Sequence, residues 1–416
     1  MKWTCCGHAR LYPGAQLCYN RAGREIFLES VSALNSTASR STPPPYSVER
    51  QDEVFPLAFS ILSDAIAKHA FPGASVAITH NGRLIGLKAL GRFTYDPDSP
   101  LVTSTTLFDL ASLSKVIATT SMTMILYERG VIDLDAPIAA VIPEFISASD
   151  EAKQDHRRRE ITMRMLLAHS SGLPAYERLF LRARNRDDLL HAAFTTPLAA
   201  DPGTRAEYSD IGFIILGVAL ERLAAESLDR FCQREIFGPL AMANTTYNPP
   251  PNARNRIPPA ADDRTFRHRI IQGEVQDENA SVLNGVAGHA GLFASAEDIA
   301  KFAQTLLDRG HPILRSETVA LFTRRESNPQ GTSRALGWDT PFPPSQSGKY
   351  FSAASFGHLG YTGTSLWIDP ERQLSVTLLT NRTWPDCSNV SIKQIRPRFH
   401  DAVVEALQPD PTRRDA

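Results

Sequence analysis

Two pairs of apolar runs, one near each end of the chain, set the strongest limit on what these 416 residues can fold into. Near the start, ASVAITH and RLIGLKAL are joined by Asn81-Gly82, the dipeptide preferred in a tight hairpin because both of its residues accept positive φ. Near the end, TSLWID and LSVTLLTN flank the turn PERQ and read as a second antiparallel hairpin. A hairpin at each end of a helical middle implies one antiparallel sheet built from both chain ends. The expected class is α/β (α+β), with helices flanking the sheet and a helical lobe inserted.

Residues 1–52 include NSTASRSTPPPYS, a Ser/Thr/Pro tract without periodicity, and are expected to form a flexible extension. The folded unit is expected over 53–405, with a sheet lobe (53–130 and 281–405), a helical lobe (131–280) and a tail (406–416). It opens with a helix from Phe55 to His69. In the middle, DIGFIILGVALERLAAES is a strongly apolar helix, and Ser295 to Asp298 forms a capping box for the next one.

A formal charge of -1 provides no field for nucleic acid or anionic lipid, so Arg157 to Arg159 read as a solvated loop. No apolar run approaches membrane-spanning length, and MKWTCCGHARLYPGAQLCYNR lacks the apolar core of a signal peptide, which points to the cytoplasm. The five cysteines are odd in number and show no repeated C-x-x-C, so neither a metal site nor a disulfide framework is expected. A small-molecule substrate without a cofactor is the expectation.

Lys115 is anomalous. It lies in FDLASLSKVIATT, at the start of a helix expected from Ala111 to Leu126 with apolar residues on nearly every face. An ammonium in such a shell needs partners or a lowered pKa. Ser112 lies three residues earlier, on the same helix face, and its first-turn amide has no intrahelical acceptor. One residue thus offers a nucleophile and an oxyanion donor. Of the eight lysines, only Lys115 has a serine three residues before it.

Two other stretches carry chemistry. In EYSDIGFIILG, Tyr208 precedes an apolar helix capped by Ser209 or Asp210, where a phenol beside a lysine is placed to titrate low and act as a base. The structural alternative is a hydrophobic staple between Tyr208 and Phe213. In FGHLGYTGTSLWID, Gly357, Gly360 and Gly363 surround His358 and let backbone approach a ligand, or mark bulges of an edge strand.

Together the three stretches resemble the serine β-lactamase and penicillin-binding protein superfamily, in its class C and DD-peptidase branch. Its S-x-x-K matches Ser112 to Lys115, its Y-x-N matches Tyr208 to Asp210 except at the last position, and its K/H-x-G matches His358 to Gly360. Connecting segments such as ITMRMLLAHSSGLP and GHLGYTGTSLWIDPE extend the resemblance over roughly residues 53 to 405. The resemblance implies a β-lactamase/transpeptidase-like fold and an acyl-enzyme on Ser112. It implies that Lys115 and Tyr208 shuttle the serine proton, and that the Ser112 and Tyr361 amides form the oxyanion hole. Asp210, His358 and Gly360 would contact substrate. Relatives working outside the cytoplasm also make the cell envelope a candidate location.

Asp210 in place of asparagine, and Leu359 in place of a hydroxyl residue, favour small esters or D-residue amides over β-lactams. The only cation then foreseen for a β-lactam carboxylate is His358, charging as pH falls toward 6. Two rivals differ in kind. Ala168 to Gly172 fits a nucleophile elbow with Ser170 as nucleophile, but ITMRMLLAH has helical spacing where an elbow needs a strand. The other rival is a homologue that binds without turnover. His289, Asp277 and Glu278 are further candidates for the cleft wall.

Overall fold

The computed structural model describes residues 46–408. In chain order its main elements are α1 (Pro56–Ala67), β1 (Gly73–His80), β2 (Arg83–Gly91), α2 (Ser121–Glu128) and α3 (Asp210–Ala224). Then follow α4 (Ala296–Leu307), β3 (Phe356–Leu359), β4 (Ser365–Asp369), β5 (Leu374–Thr380) and α5 (Ile392–Ala406).

The strands form one antiparallel five-stranded sheet in the order β2-β1-β5-β4-β3. The first and last hairpins meet at its centre, where β1 pairs with β5 from Ala74 opposite Thr380 to His80 opposite Leu374. Asn81 and Gly82 have φ of 49° and 74°, as the tight turn requires. The PERQ turn is tied by Asp369, whose carboxylate accepts the Glu371 and Arg372 amides.

Both faces of the sheet are covered. Val76, Ile78, Trp367, Val376 and Leu378 point to one side and pack with Phe59 and Leu62 of α1 and Phe399 and Val403 of α5. Ala77, Leu366, Ile368 and Leu379 point to the other and join a core that contains Ile299, Phe302 and Leu306 of α4 and continues into the helical lobe. Double coverage explains why β5 is buried along its whole length, its polar residues Ser375, Thr377 and Thr380 included. Of the polar groups inside, Thr79 and Ser375 pair with each other at 2.6 Å.

Several expectations need correction. Ordered structure starts before residue 53: Val48–Arg50 and Gln51–Val54 are helical turns, the Gln51 side chain accepts the Leu87 amide, and Lys88 pairs with Asp52. Residues 1–45, and with them most of the expected extension, lie outside the described residues, as do 409–416 of the tail. The inserted lobe contains short strands as well as helices, among them Thr245–Tyr247 and the pair Ala261–Asp263 and Arg269–Ile271. Arg158 is not solvated. It is buried, stacks on Phe145, and donates to the carbonyls of Phe145, Phe194 and Thr196, which knits the lobe together. The capping box is half made: the Ser295 hydroxyl accepts the Asp298 amide, while the Asp298 carboxylate accepts from Asn244 and Thr245.

Candidate active site

Ser112 sits at the end of a clamped turn. The buried Asp109 carboxylate accepts the Ala111 amide at 2.8 Å, and Thr362 and Thr364 donate to the carbonyls of Asp109 and Leu110 at 2.7 and 3.0 Å. Ala111 itself has φ of 46°, a conformation that costs an L-residue about 1 kcal/mol and so persists only because these contacts over-determine it. Gly360 belongs to the same clamp, since a Cβ there would collide with the Thr364 side chain and the Leu110 carbonyl. Helix begins after Ser112, opens into a wide π-helical turn over Lys115–Thr120, and continues as α2. Such turns recur at functional sites.

Lys115 is fully buried and fully paired. Its Nζ donates to Ser112 Oγ at 2.9 Å, Asp210 Oδ1 at 2.6 Å and the His289 carbonyl at 2.9 Å. Burial pushes its pKa below the ordinary lysine value, and the adjacent Asp210 carboxylate opposes that drop. Both outcomes expected for a lone buried lysine, partners and a lowered pKa, are therefore present.

Tyr208 and Asp210 come from the start of α3. Ser209 is the N-cap, its hydroxyl accepting the Gly212 amide at 3.0 Å, which leaves Asp210 in the first turn. Tyr208 Oη lies 2.6 Å from Ser112 Oγ and donates to Asp210 Oδ1 at 3.0 Å. A low-titrating phenol is not what forms. Burial and then the Asp210 charge hold the Tyr208 pKa well above the ordinary tyrosine value, so the side chain is a neutral phenol. The staple also takes a different shape, because His169 stands between its two members, 4.7 Å from the Tyr208 ring and 5.0 Å from that of Phe213. His169 Nδ1 accepts the Ser209 amide at 3.0 Å.

The sheet supplies the opposite wall. His358 lies on β3, an edge strand, with its ring 6.1 Å from that of Tyr208 and Nδ1 hydrogen-bonded to the Leu359 carbonyl at 2.8 Å. Burial, with Lys115 and Arg334 nearby, drives its pKa well below the usual histidine value, so it does not become the expected acid-side cation. A cation that does line the cleft beside Tyr208 is Arg334, which no sequence motif marks. Its guanidinium lies 5.7 Å from the Tyr208 ring centre and 3.8 Å from Asp339. Tyr361 is half exposed beneath the Arg382 guanidinium, and neither its amide nor that of Ser112 has an acceptor among the described residues.

These groups border one cleft of ≈ 950 Å³. Ser112, Tyr208, Asp210, Arg334, His358, Gly360 and Tyr361 line it, as do Asp277, Glu278 and His289. His289 Nε2 and Asp277 Oδ1 are 2.8 Å apart, an arrangement that fixes the ring whose backbone carbonyl holds Lys115. Ser170 does not line it. That serine follows the helix Met163–Leu167 in a loop, where an elbow would need a preceding strand, and the five-stranded sheet is antiparallel throughout, so the nucleophile-elbow alternative, which would make the chain an α/β-hydrolase, fails. No group of metal-ligating side chains occurs among the described residues, and no helix of theirs is long and apolar enough to cross a membrane.

With this geometry described, comparison with known proteins is direct. The family model described as Beta-lactamase matches residues 59–392, most of the chain. The chain belongs to the β-lactamase family. This β-lactamase-family chain is 32% identical over 346 residues to an N-acetylmuramyl-L-alanine amidase of Bacillus subtilis, covering 75% of this chain and 77% of that protein. It is 30% identical over 359 residues to a Salmonella agona protein named as a D-alanyl-D-alanine carboxypeptidase, covering 77% and 81%. Among solved structures it resembles EstCE1, a hydrolase with promiscuous acyltransferase activity, at a TM-score of 0.69 and 22% identity over 85% of this chain and 99% of that one. A class C β-lactamase from Rhodobacter sphaeroides follows at 0.64 and 22%, over 84% and 99%. The protein is a serine hydrolase of the β-lactamase fold.

Proposed function

We propose that this hydrolase works through an acyl-enzyme on Ser112 and acts on small acyl esters and on amides of D residues. One observation carries the reading: Ser112 Oγ opens onto the cleft with Lys115 Nζ at 2.9 Å and Tyr208 Oη at 2.6 Å. A hydroxyl is a weak nucleophile until its proton has an acceptor, and two groups stand within transfer distance. The Ser112 and Tyr361 amides, without acceptors among the described residues, supply donors for the charge that develops on a substrate carbonyl. Tyr208 handles the proton while Lys115 holds the hydroxyl in line, and Asp210, His358 and Gly360 line the cleft.

Arg334 adds a preference for acyl compounds bearing a carboxylate, since a guanidinium with one long ion pair retains unused donors. The relative named as a D-alanyl-D-alanine carboxypeptidase agrees with the D-residue branch, and the one named as an L-alanine amidase agrees with amide hydrolysis in general. Location follows substrate: small soluble esters suit a cytoplasmic enzyme, envelope amides an enzyme of the envelope. β-Lactam hydrolysis is a second reading, favoured by Arg334, which can meet a β-lactam carboxylate.

A fluorophosphonate probe tests the core of the proposal. Stoichiometric labelling at Ser112 with loss of ester hydrolysis is the expected result. Labelling at another serine, or none, rejects it. On the same preparation, kcat/KM for a p-nitrophenyl short-chain ester, a D-alanyl-D-alanine peptide and a chromogenic cephalosporin ranks the substrate classes, and cephalosporin in first place restores the second reading.

A further inference from the structure

Asp210 receives two hydrogen bonds on a single oxygen, and both donors belong to the site. Its Oδ1 is 2.6 Å from Lys115 Nζ and 3.0 Å from the donating Tyr208 hydroxyl. Counting protons gives the network a direction. A Lys115 ammonium has three N–H groups and three acceptors, namely Asp210 Oδ1, Ser112 Oγ and the His289 carbonyl. With its oxygen accepting from Lys115, the Ser112 hydroxyl has its own proton free for Tyr208 Oη, 2.6 Å away. The Tyr208 hydroxyl in turn already donates to Asp210. Every N–H and O–H of the Lys115, Ser112 and Tyr208 side chains is used once the chain runs Ser112 to Tyr208 to Asp210. Besides Lys115 and Tyr208, the charged groups facing this cluster are Arg334 and Asp277.

From this geometry we propose that Asp210 is the proton acceptor of acylation, taking the serine proton through Tyr208. The proposal rests on the reading of Ser112 as nucleophile. In the step, Ser112 Oγ bonds to the acyl carbon and the carbonyl pair moves onto oxygen, facing the Ser112 and Tyr361 amides. The serine proton passes to Tyr208 Oη while the phenol proton passes to Asp210 Oδ1. When the tetrahedral intermediate collapses, the bond to the leaving group breaks and the proton returns through Tyr208 to the departing nitrogen or oxygen. A water repeats the sequence in deacylation. Tyr208 conducts a proton without retaining a charge, consistent with its environment, which disfavours phenolate. Lys115 stays an ammonium, aligning Ser112 with Asp210 and offsetting the oxyanion charge. The replacement of asparagine by aspartate in the Tyr208 motif then gains a chemical purpose: asparagine accepts the same two hydrogen bonds but cannot hold the proton.

The test is Asp210→Asn, which keeps an oxygen for both donors. For p-nitrophenyl acetate, kcat should fall by about 10²-fold at every pH from 5.5 to 9, with KM changed by less than about threefold. If Lys115 itself is the base, removing the carboxylate lowers the lysine pKa, the acid limb of the profile moves to lower pH, and activity at pH 6 holds or rises. That result overturns the proposal. A second measurement needs only the wild-type protein: kcat/KM in mixtures of H₂O and D₂O should bow as two protons in flight require, and a straight line overturns the relay even if the variant does not fold. Fluorophosphonate labelling of the same preparation separates the two levels. Labelling at Ser112 with a straight line rejects only the relay, and labelling elsewhere rejects the serine assignment beneath it.

Discussion

His169 fixes Tyr208 from behind: its Nδ1 accepts the amide of Ser209, the next residue, at 3.0 Å, and its ring lies 4.7 Å from the phenol ring. His169 is buried with φ of 56°, a conformation that asparagine also tolerates. His169→Asn should therefore fold but leave a void beside Tyr208. We expect a stability loss of about 2 kcal/mol and a fall in kcat of at least about tenfold, measured by urea denaturation and ester hydrolysis. Unchanged kcat would show that Tyr208 is held by its other contacts.

Ser112→Ala should abolish ester hydrolysis while leaving the fold intact, since it removes one small, partly exposed oxygen. Residual activity should lie below about a hundredth of wild type, a larger loss than one acid-base group explains. The thermal midpoint read beside the rate separates chemistry from folding.

Lys115→Ala should cost stability as well as activity. It empties a fully buried site and leaves Asp210 without its ion-pair partner, a change worth about 3–5 kcal/mol for buried pairs. Asp210→Asn should destabilise less, because the ammonium keeps the new amide oxygen as an acceptor. Urea midpoints of the two variants check the order.

Arg334→Gln should discriminate between substrates. The kcat/KM for a carboxylate-bearing cephalosporin should fall by about tenfold or more, and that for a neutral p-nitrophenyl ester by less than about threefold. Because His358 stays neutral, the cephalosporin-to-ester ratio should not rise between pH 7.5 and 6. A ratio that climbs over that interval would make His358 the charged partner.

Asp109 gives a stability signature in pH. Burial raises its pKa from 3.8 to about 6 in the folded chain, so the folded state binds the proton more tightly than the unfolded state does. The stability it contributes is present below pH 3.8 and lost as pH rises through about 6. Compared with Asp109→Asn, wild type should lose up to about 3 kcal/mol between pH 4 and 7.5, the free energy of a shift of roughly two units. Urea midpoints at both pH values test the sign.

Much of this is legible in the sequence alone. The Asn81-Gly82 turn and the PERQ turn report their hairpins because turn chemistry is local, and Lys115 is conspicuous because a cation in an apolar run needs a partner whatever the fold. Arg334 is not legible. Nothing in its neighbours along the chain marks it, and only the packing of its loop beside Tyr208 gives it meaning. His169 stands inside a recognisable segment, but its task depends on α3, forty residues away. The states of Tyr208 and His358 escape the sequence for one reason: spacing shows which charges are near, while desolvation depends on how completely the lobe closes over them.

The sheet order also bears on synthesis. The strand Leu374–Thr380 lies between the first hairpin and the strand that carries His358. A ribosome has therefore delivered Ser112, Lys115, Tyr208, Asp210 and His358 well before the sheet acquires its middle. The nascent chain holds a complete set of reactive groups with no scaffold to align them, and hydrolysis can begin only once the last strand has left the exit tunnel. A premature stop at residue 370 would yield a chain with every one of those side chains and no enzyme.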